Sequence, residues 1–422
     1  MATTDSTGTD GAGRQRPIVI VGASLGGAKA AQALREAGYT GGIVLIGEEH
    51  ERPYERPPLS KGYLLGKSSR EKIYVHPPEW YAEHDVTLRL GTRVVSIDPA
   101  AHTMTLADGG QVEYAKLLLT TGSVPRRLTL PDTGSGDFGG VHYLRRVEDS
   151  ERIRKEFRTG ARIVVIGAGW IGLETTAAAR TAGAEVTVLE AAELPLLRVL
   201  GREVAQVFAD LHRAHGVDLR FGVKVAELTG ADGRVTGVRL GDGTVVPADA
   251  VVVGVGIAPD TELAEAAGLE VENGIKTDEH LRTSDPDIHA AGDVANAFHP
   301  QLGRHIRVEH WANAVNQPQT AARAMLGEDA VYDRVPYFFS DQYDLGMEYV
   351  GWVEPGGYDR VVFRGDVKAR EFIAFWLSEG KVLAGMNVNV WDVTDPIRSL
   401  IRSGRVVDPA RLADPEVPLG DV

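Results

Sequence analysis

The feature that most constrains this chain is a short pattern that occurs twice. Pro17-Ile18-Val19-Ile20-Val21 is an apolar, β-branched run of the kind that forms a buried strand, and it runs directly into Gly22-Ala23-Ser24-Leu25-Gly26-Gly27. Ala28 to Ala37 reads as a small-residue helix stopped by Gly38, and Gly42 to Ile46 reads as a second strand that ends at Gly47-Glu48. The pattern returns with the strand Ala161 to Ile166, the turn Gly167-Ala168-Gly169-Trp170-Ile171-Gly172, the helix Leu173 to Ala182, the stop Gly183 and the strand Glu185 to Leu189, closed by Glu190. Strand, glycine-rich turn, helix, strand and acid make a βαβ unit of the dinucleotide-binding kind.

Each glycine in such a turn has its own task. The first allows the tight turn, the second lets a pyrophosphate approach the backbone, and the third lets helix and strand pack closely. The unpaired N–H groups at the helix N-terminus then face the phosphates. In the first copy Ser24 stands at the second glycine position; it is small, and its hydroxyl can bond a phosphate, so binding should survive. Glu48 lies 26 residues after Gly22, and Glu190 lies 23 after Gly167, each placed to accept hydrogen bonds from an adenosine ribose. A carboxylate at Glu190 favours NADH, because it repels the 2′-phosphate of NADPH; Arg198, close by in sequence, softens that preference.

Other strands also end at glycines. Leu117 to Leu119 leads into Thr120-Thr121-Gly122, Ala250 to Val253 into Gly254-Val255-Gly256, and Ile288 to Ala291 into Gly292-Asp293. From about Tyr337 aromatics become dense and alternating runs appear, as in Arg360 to Phe363 and Phe372 to Trp376, followed by a short helix at Pro396 to Arg402; this reads as an α+β domain. The division expected is a disordered tail over 1–16, a first nucleotide-binding domain over 17–125 and 257–335, a second over 126–256 and a C-terminal domain over 336–422, with Pro131 to Gly140 as a surface connection.

Composition closes off other chemistries. The chain has 422 residues and no cysteine, so it can hold no disulfide, thiolate nucleophile or cysteine-ligated cluster. Electrons must ride on a bound organic cofactor or on a partner. A net charge of -14 argues against a general nucleic-acid or anionic-membrane binder. No run approaches a membrane span and Met1 to Arg16 lacks the apolar core of a signal peptide, so the cytoplasm is expected. His299, His305 and His310 match no standard zinc spacing, and no metal is expected.

The sequence resembles the FAD-dependent, NADH-linked ferredoxin reductases that serve oxygenase systems, related to putidaredoxin and rubredoxin reductases. The resemblance is carried by Glu55 to Lys61 as ERPPLSK, Gly167 to Glu174 as GAGWIGLE, Ala291-Gly292-Asp293, Glu309 to Asn313 as EHWAN, and Phe339 to Tyr343 as FSDQY. It implies an α/β architecture like that of glutathione reductase, with two Rossmann-like domains, one for FAD and one for NADH, and a C-terminal α+β domain. It implies that Lys61, paired with Glu174, lies at the N5 edge of the flavin as the catalytic pair, and that Arg56 and Arg145 help to hold FAD. The backbone of Val94 would meet the adenine, Thr121-Gly122 would turn closely on the cofactor, and Asp293 would accept a hydrogen bond from its ribityl or pyrophosphate region. Trp311 would pack by the ring. Gly22, Ser24, Gly26, Gly27 and Glu48 complete the FAD set; Gly167, Gly169, Ile171, Gly172, Glu190 and Arg198 complete the pyridine-nucleotide set, and Gly256 is a further cofactor-binding candidate. Blander roles for two of these are a helix N-cap for Asp293 and plain core for Trp311.

The activity implied is hydride transfer from NADH to FAD, then single-electron transfer to a two-iron, two-sulfur ferredoxin that feeds an oxygenase. Docking candidates for that acidic partner are Arg304, Arg307, Arg398, Arg402 and Arg405. The absence of cysteine excludes disulfide reductases and cysteine-based NADH oxidases and peroxidases. Two alternatives stay open: an enzyme like monodehydroascorbate reductase, and an NADH-switched interaction flavoprotein like apoptosis-inducing factor. Oligomeric state, the particular ferredoxin and the final substrate are not legible in the sequence.

Overall fold

A computed structural model of the chain describes residues 15–130 and 138–422. Of the tail expected over 1–16, residues 1–14 lie outside the described residues, as do 131–137 of the connection expected over Pro131 to Gly140. The described residues divide into two compact units: those within 15–56, 70–124 and 258–334, and those within 57–69, 125–130, 138–257 and 335–422.

The first unit is built on a parallel five-stranded sheet in the order Ile288–Ala290, Lys116–Leu119, Ile18–Val21, Ile43–Ile46, Val86–Arg89. Ile18–Val21 and Ile43–Ile46 are buried along their whole length, because a parallel strand is covered on both faces; this explains their continuous apolar runs. The helices Leu25–Glu36 and Trp311–Met325 pack against each other and cover one face with alanines, among them Ala30, Ala31, Ala321 and Ala322. A three-stranded antiparallel sheet begins at Val94–Asp98, and Val94, Ile97 and Met104 join the core on the other face.

The second unit repeats the design with the parallel order Asp218–Arg220, Glu185–Leu189, Arg162–Ile166, Ala250–Val253, Val141–Tyr143. It also contains the C-terminal α+β portion expected from the sequence. Five antiparallel strands run in the order Tyr337–Gln342, Leu345–Gly351, Lys381–Val388, Glu371–Ser378, Arg360–Asp366, with the helix Thr394–Ser403 against them. One core joins this sheet to the parallel one: Phe208, Phe338, Phe372 and Trp376 belong to the same cluster as Val165 and Val188. Within it the buried indole of Trp376 donates to the carbonyl of Leu200 at 3.0 Å.

Both motif helices start earlier than the sequence suggests, at Leu25 and Trp170 rather than Ala28 and Leu173. The reason is the third glycine, which lies inside the first helical turn instead of before it. A Cβ on Gly27 would come within 2.2 Å of the Gly22 carbonyl, and one on Gly172 within 2.1 Å of the Gly167 carbonyl. Only glycine lets each helix begin this close to its strand.

Candidate functional site

In the first unit, Gly22 turns at φ +116, and a Cβ there would meet the carbonyl of Thr120 at 2.2 Å. Ser24 is the N-cap of Leu25–Glu36 in an extended conformation, yet its side chain makes no capping hydrogen bond. The first turn of that helix carries no acid. Uncapped N–H groups, a hydroxyl not used for capping and no competing carboxylate fit a diphosphate. Gly26 has only ordinary contact with Thr120, which would lie 3.6 Å from a Cβ at that position. Glu48 stands exposed just past the strand Ile43–Ile46.

Arg56 is held by Glu49 at 2.8 Å and by the Tyr54 hydroxyl, so its guanidinium is fixed before any ligand arrives. Asp293 accepts a hydrogen bond from Ser123 at 2.7 Å. It caps no helix, since the element that follows it is the strand Ala295–His299. Gly292, at φ +83, donates its N–H to the buried amide oxygen of Gln317 at 2.7 Å, and this fixes the turn that presents Asp293. The Thr121 hydroxyl donates to the carbonyl of Asp260, and Gly122, whose carbonyl accepts the Asp260 N–H, turns at φ +74. Val94 is buried and its strand backbone pairs with Leu106. Trp311 is the first, half-buried residue of its helix.

In the second unit, Gly167 turns at φ +98, and a Cβ there would lie 2.3 Å from the Gly254 carbonyl. Gly169 is the opposite case: nothing lies within 4 Å of a Cβ there. Protein packing therefore requires Gly167 and Gly172 but not Gly169, and the open space at Gly169 is where a pyrophosphate would approach. Ile171, in the first helical turn, is exposed although apolar, and that turn carries neither an acid nor a side-chain cap. Glu190 is locked in place, one carboxylate oxygen accepting from Ala168 N–H at 2.7 Å and the other from Ala192 N–H at 2.8 Å. Arg198 is exposed at the start of Leu197–Ala214. Gly256 turns at φ +103 beyond the strand Ala250–Val253, and Arg145 lies half-buried before the helix Val147–Glu156. The glycine turns and acids of both units thus fit two dinucleotides.

Lys61 and Glu174 meet in the second unit. The segment 57–69 packs there, and Lys61 Nζ lies 2.8 Å from Glu174 Oε1. Glu174 is 4% exposed, on the inner face of the helix Trp170–Thr181. Two hydroxyls complete its shell: Ser60 donates at 2.5 Å and Ser340 at 2.7 Å. A charge this deep is tolerable only when paired and hydrogen-bonded, and all these partners are present. Ser60 and Ser340 both fall within the sequence motifs, yet the motifs by themselves give them no role. A signal for Ser340 does exist in the sequence: Phe338, Ser340 and Gln342 alternate on the inward face of their strand, where a serine and a glutamine are out of place.

Two of the docking candidates are less free than expected. Arg307 pairs with Glu309 at 2.5 Å and its side chain is only 8% exposed, so it is tied into its own unit rather than offered to a partner. Arg398 pairs with Asp395 at 2.6 Å, while Arg402 and Arg405 are exposed. Of the three histidines that match no zinc spacing, His299 is buried and bonds the Arg334 carbonyl at 3.1 Å, while His310 is half-buried, and burial pushes its pKa down to about 4 against the opposing pull of Asp293.

Two parallel dinucleotide folds in one chain, with a buried Lys–Glu pair and no thiol, define a two-nucleotide oxidoreductase. The chain belongs to the pyridine nucleotide-disulphide oxidoreductase family, whose model matches residues 16–318, and residues 337–422 match a reductase C-terminal domain. It is 40% identical over 408 residues to the putidaredoxin reductase of Pseudomonas putida, covering 96% of each chain. It is 42% identical over 405 residues to the ferredoxin–NAD(+) reductase component of the anthranilate 1,2-dioxygenase system of Burkholderia cepacia, covering 96% of this chain and 98% of that one. Among solved structures, a covalent putidaredoxin reductase–putidaredoxin complex superposes with a TM-score of 0.92 at 39% identity, covering 96% of this chain and 97% of that one. No helix among the described residues is long and apolar enough to cross a membrane.

Proposed function

We propose that this protein is an NADH-dependent ferredoxin reductase of an oxygenase system. The observation that carries this reading is full-length similarity: relatives named for electron transfer to ferredoxins match across both nucleotide folds and the C-terminal domain alike. Bound FAD would supply the conversion between a two-electron hydride donor and a one-electron acceptor. With no cysteine in the chain, no thiol pair can intercept the electrons.

The chain's own residues supply binding, orientation and charge. The first glycine turn, with Ser24, Glu48, Arg56, Val94, Thr121, Gly122 and Asp293, is assigned to FAD, with Arg145 and Trp311 beside it. The second turn, with Ile171, Glu190, Arg198 and Gly256, is assigned to NADH. Lys61 keeps a positive charge at the flavin edge, where reduction adds negative charge, and Glu174 holds that lysine in place. Residues 17–125 with 257–335 are taken as the FAD domain, 126–256 as the NADH domain and 336–422 as the C-terminal domain. The acceptor is a two-iron, two-sulfur ferredoxin, and the compartment is the cytoplasm.

The test is anaerobic titration. NADH should bleach the bound flavin, and a two-iron ferredoxin added afterwards should be reduced with a stoichiometry of two per NADH. Protein that takes up no flavin, or that reduces no ferredoxin while oxidising NADH, would refute the proposal. Slow reduction with a change in oligomeric state would point instead to an NADH-switched interaction protein.

A further inference from the structure

Glu174 is the end of a longer row of buried polar side chains. Ser340 Oγ lies 2.7 Å from Glu174 Oε1, and Gln342 Nε2 lies 3.2 Å from Ser340 Oγ. His212 Nε2 lies 2.8 Å from Gln342 Oε1, and the Tyr343 hydroxyl lies 3.4 Å from His212 Nδ1. Ser340, Gln342 and His212 are all buried, on the strand Tyr337–Gln342 and the helix Leu197–Ala214. All four contacts fall within the second unit.

The direction of every bond in this row follows from its end. A carboxylate paired with a lysine only accepts, so Ser340 must give it the hydroxyl hydrogen. The Ser340 oxygen is then left as an acceptor, and Gln342 must turn its amide NH₂ toward it. That leaves the Gln342 carbonyl facing His212, which must present Nε2–H. His212 Nδ1 is then the acceptor, facing the Tyr343 hydroxyl. The charge on Glu174 thus fixes an amide orientation and a histidine tautomer several groups away, and each donor polarises the next.

We propose that Ser340, Gln342 and His212 are positioning residues, a one-way chain of donors that holds the Glu174 carboxylate, and through it the Lys61 ammonium, in the geometry the flavin requires. The inference rests on the reading that the Lys61–Glu174 pair serves the flavin. Lys61 and Ser340 both donate to Oε1 of Glu174. Ser60 anchors the other oxygen, Oε2, so without Ser340 the carboxylate can pivot about Ser60 and Oε1 can follow the lysine; with Ser340 both oxygens are pinned and the lysine is held where Oε1 stands. Neutrality of the histidine is part of the device. Burial lowers its pKa to about 4, so at working pH it gives one N–H and brings no second cation to compete with Lys61 for the carboxylate. Apolar side chains would fill the same volume without any need to satisfy buried donors and acceptors.

The test has a part that needs no variant protein to be active. In the ¹⁵N-histidine-labelled wild-type holoenzyme, the His212 resonances, identified by their loss in His212→Gln, should show a single neutral Nε2–H tautomer at neutral pH. An Nδ1–H tautomer or an imidazolium would overturn the chain. In the second part, His212→Leu, Gln342→Leu and Ser340→Ala should each slow anaerobic flavin reduction by NADH on the order of tenfold, with little change in NADH affinity. The flavin potential should fall in the same variants, a tenfold change in equilibrium being about 30 mV for a two-electron couple. His212→Gln, whose amide nitrogen replaces Nε2, should stay within about twofold of wild type. Leucine and alanine variants that lose only thermal stability, or a His212→Gln as slow as His212→Leu, would overturn the proposal. If the leucine variants do not fold, Ser340→Ala and the wild-type tautomer decide it. A wild type that NADH does not reduce would sink the functional reading instead, and the tautomer would still judge the chain.

Discussion

Replacing Glu190 by glutamine tests the nicotinamide site most sharply, because the structure separates two effects of one substitution. The first is loss of charge. Two unit charges about 4 Å apart interact by about 4 kcal/mol at an effective dielectric of 20. Glu190 is half-buried and screened by solvent and salt, so about 1–2 kcal/mol of repulsion toward a 2′-phosphate is expected to survive. The ribose hydroxyl of NADH also exchanges a charged acceptor for a neutral one, at a cost of about 1 kcal/mol. Together these narrow the preference for NADH over NADPH by about 30- to 150-fold. The second effect is local. Both carboxylate oxygens accept backbone N–H groups, from Ala168 and Ala192. A glutamine can accept from only one of them, and its NH₂ confronts the other whichever way the amide turns. That costs about 1–3 kcal/mol in the turn and penalises both nucleotides equally. The expected result is therefore a steep fall in kcat/KM for NADH with little gain for NADPH. Steady-state kcat/KM for both nucleotides with ferricyanide as acceptor measures it. A wild type without preference, or a variant whose preference stays within threefold of wild type, would refute the role given to Glu190.

Three other predictions follow from the same geometry. Gly167→Ala should cost at least about 3 kcal/mol, because its Cβ collides with the Gly254 carbonyl at a left-handed φ; Gly169→Ala should leave denaturation within about 0.5 kcal/mol of wild type yet weaken NADH binding at least about tenfold, as read by titration. Arg402→Glu should raise KM for ferredoxin more than Arg398→Glu does, because Arg398 is already paired with Asp395, while the ferricyanide rate stays unchanged and salt weakens the wild-type interaction. Burial lowers His76, His212 and His310 to about 4 and His289 to about 3, against an ordinary value of 6.5; the unfolded chain binds these protons first, so stability should be full above pH 6.5 and fall toward pH 4, each ring adding up to about 1.36 kcal/mol per pH unit, and urea titrations across that range should lose part of the slope in His212→Gln.

The sequence by itself determined whatever is settled within a few residues. A glycine turn is dictated by backbone angles and by the closeness of the strand and helix it joins, so both nucleotide folds, their acids at Glu48 and Glu190 and the strand ends at Gly122, Gly256 and Asp293 could be found from spacing alone. Buried parallel strands were legible because continuous apolar runs leave no other place for them. The helix starts differ by three residues from those the sequence suggests because the third glycine belongs to the helix, and only the 2.2 Å and 2.1 Å approaches reveal why. The Lys61–Glu174 pair came from resemblance, since no local rule joins residues so far apart. It exists because 57–69 packs with the second unit and brings Lys61 to a helix that begins at the other glycine turn. The shell behind it is more distant still: Ser340 reaches Glu174 across 166 positions and His212 reaches Gln342 across 130. A strand's alternation can say that Ser340 and Gln342 face inward, but what they meet there depends on how the C-terminal sheet shares a core with the parallel one. Tertiary structure alone decides that, because a buried hydrogen bond is specified by the packing that excludes water from it and not by the residues on either side in sequence.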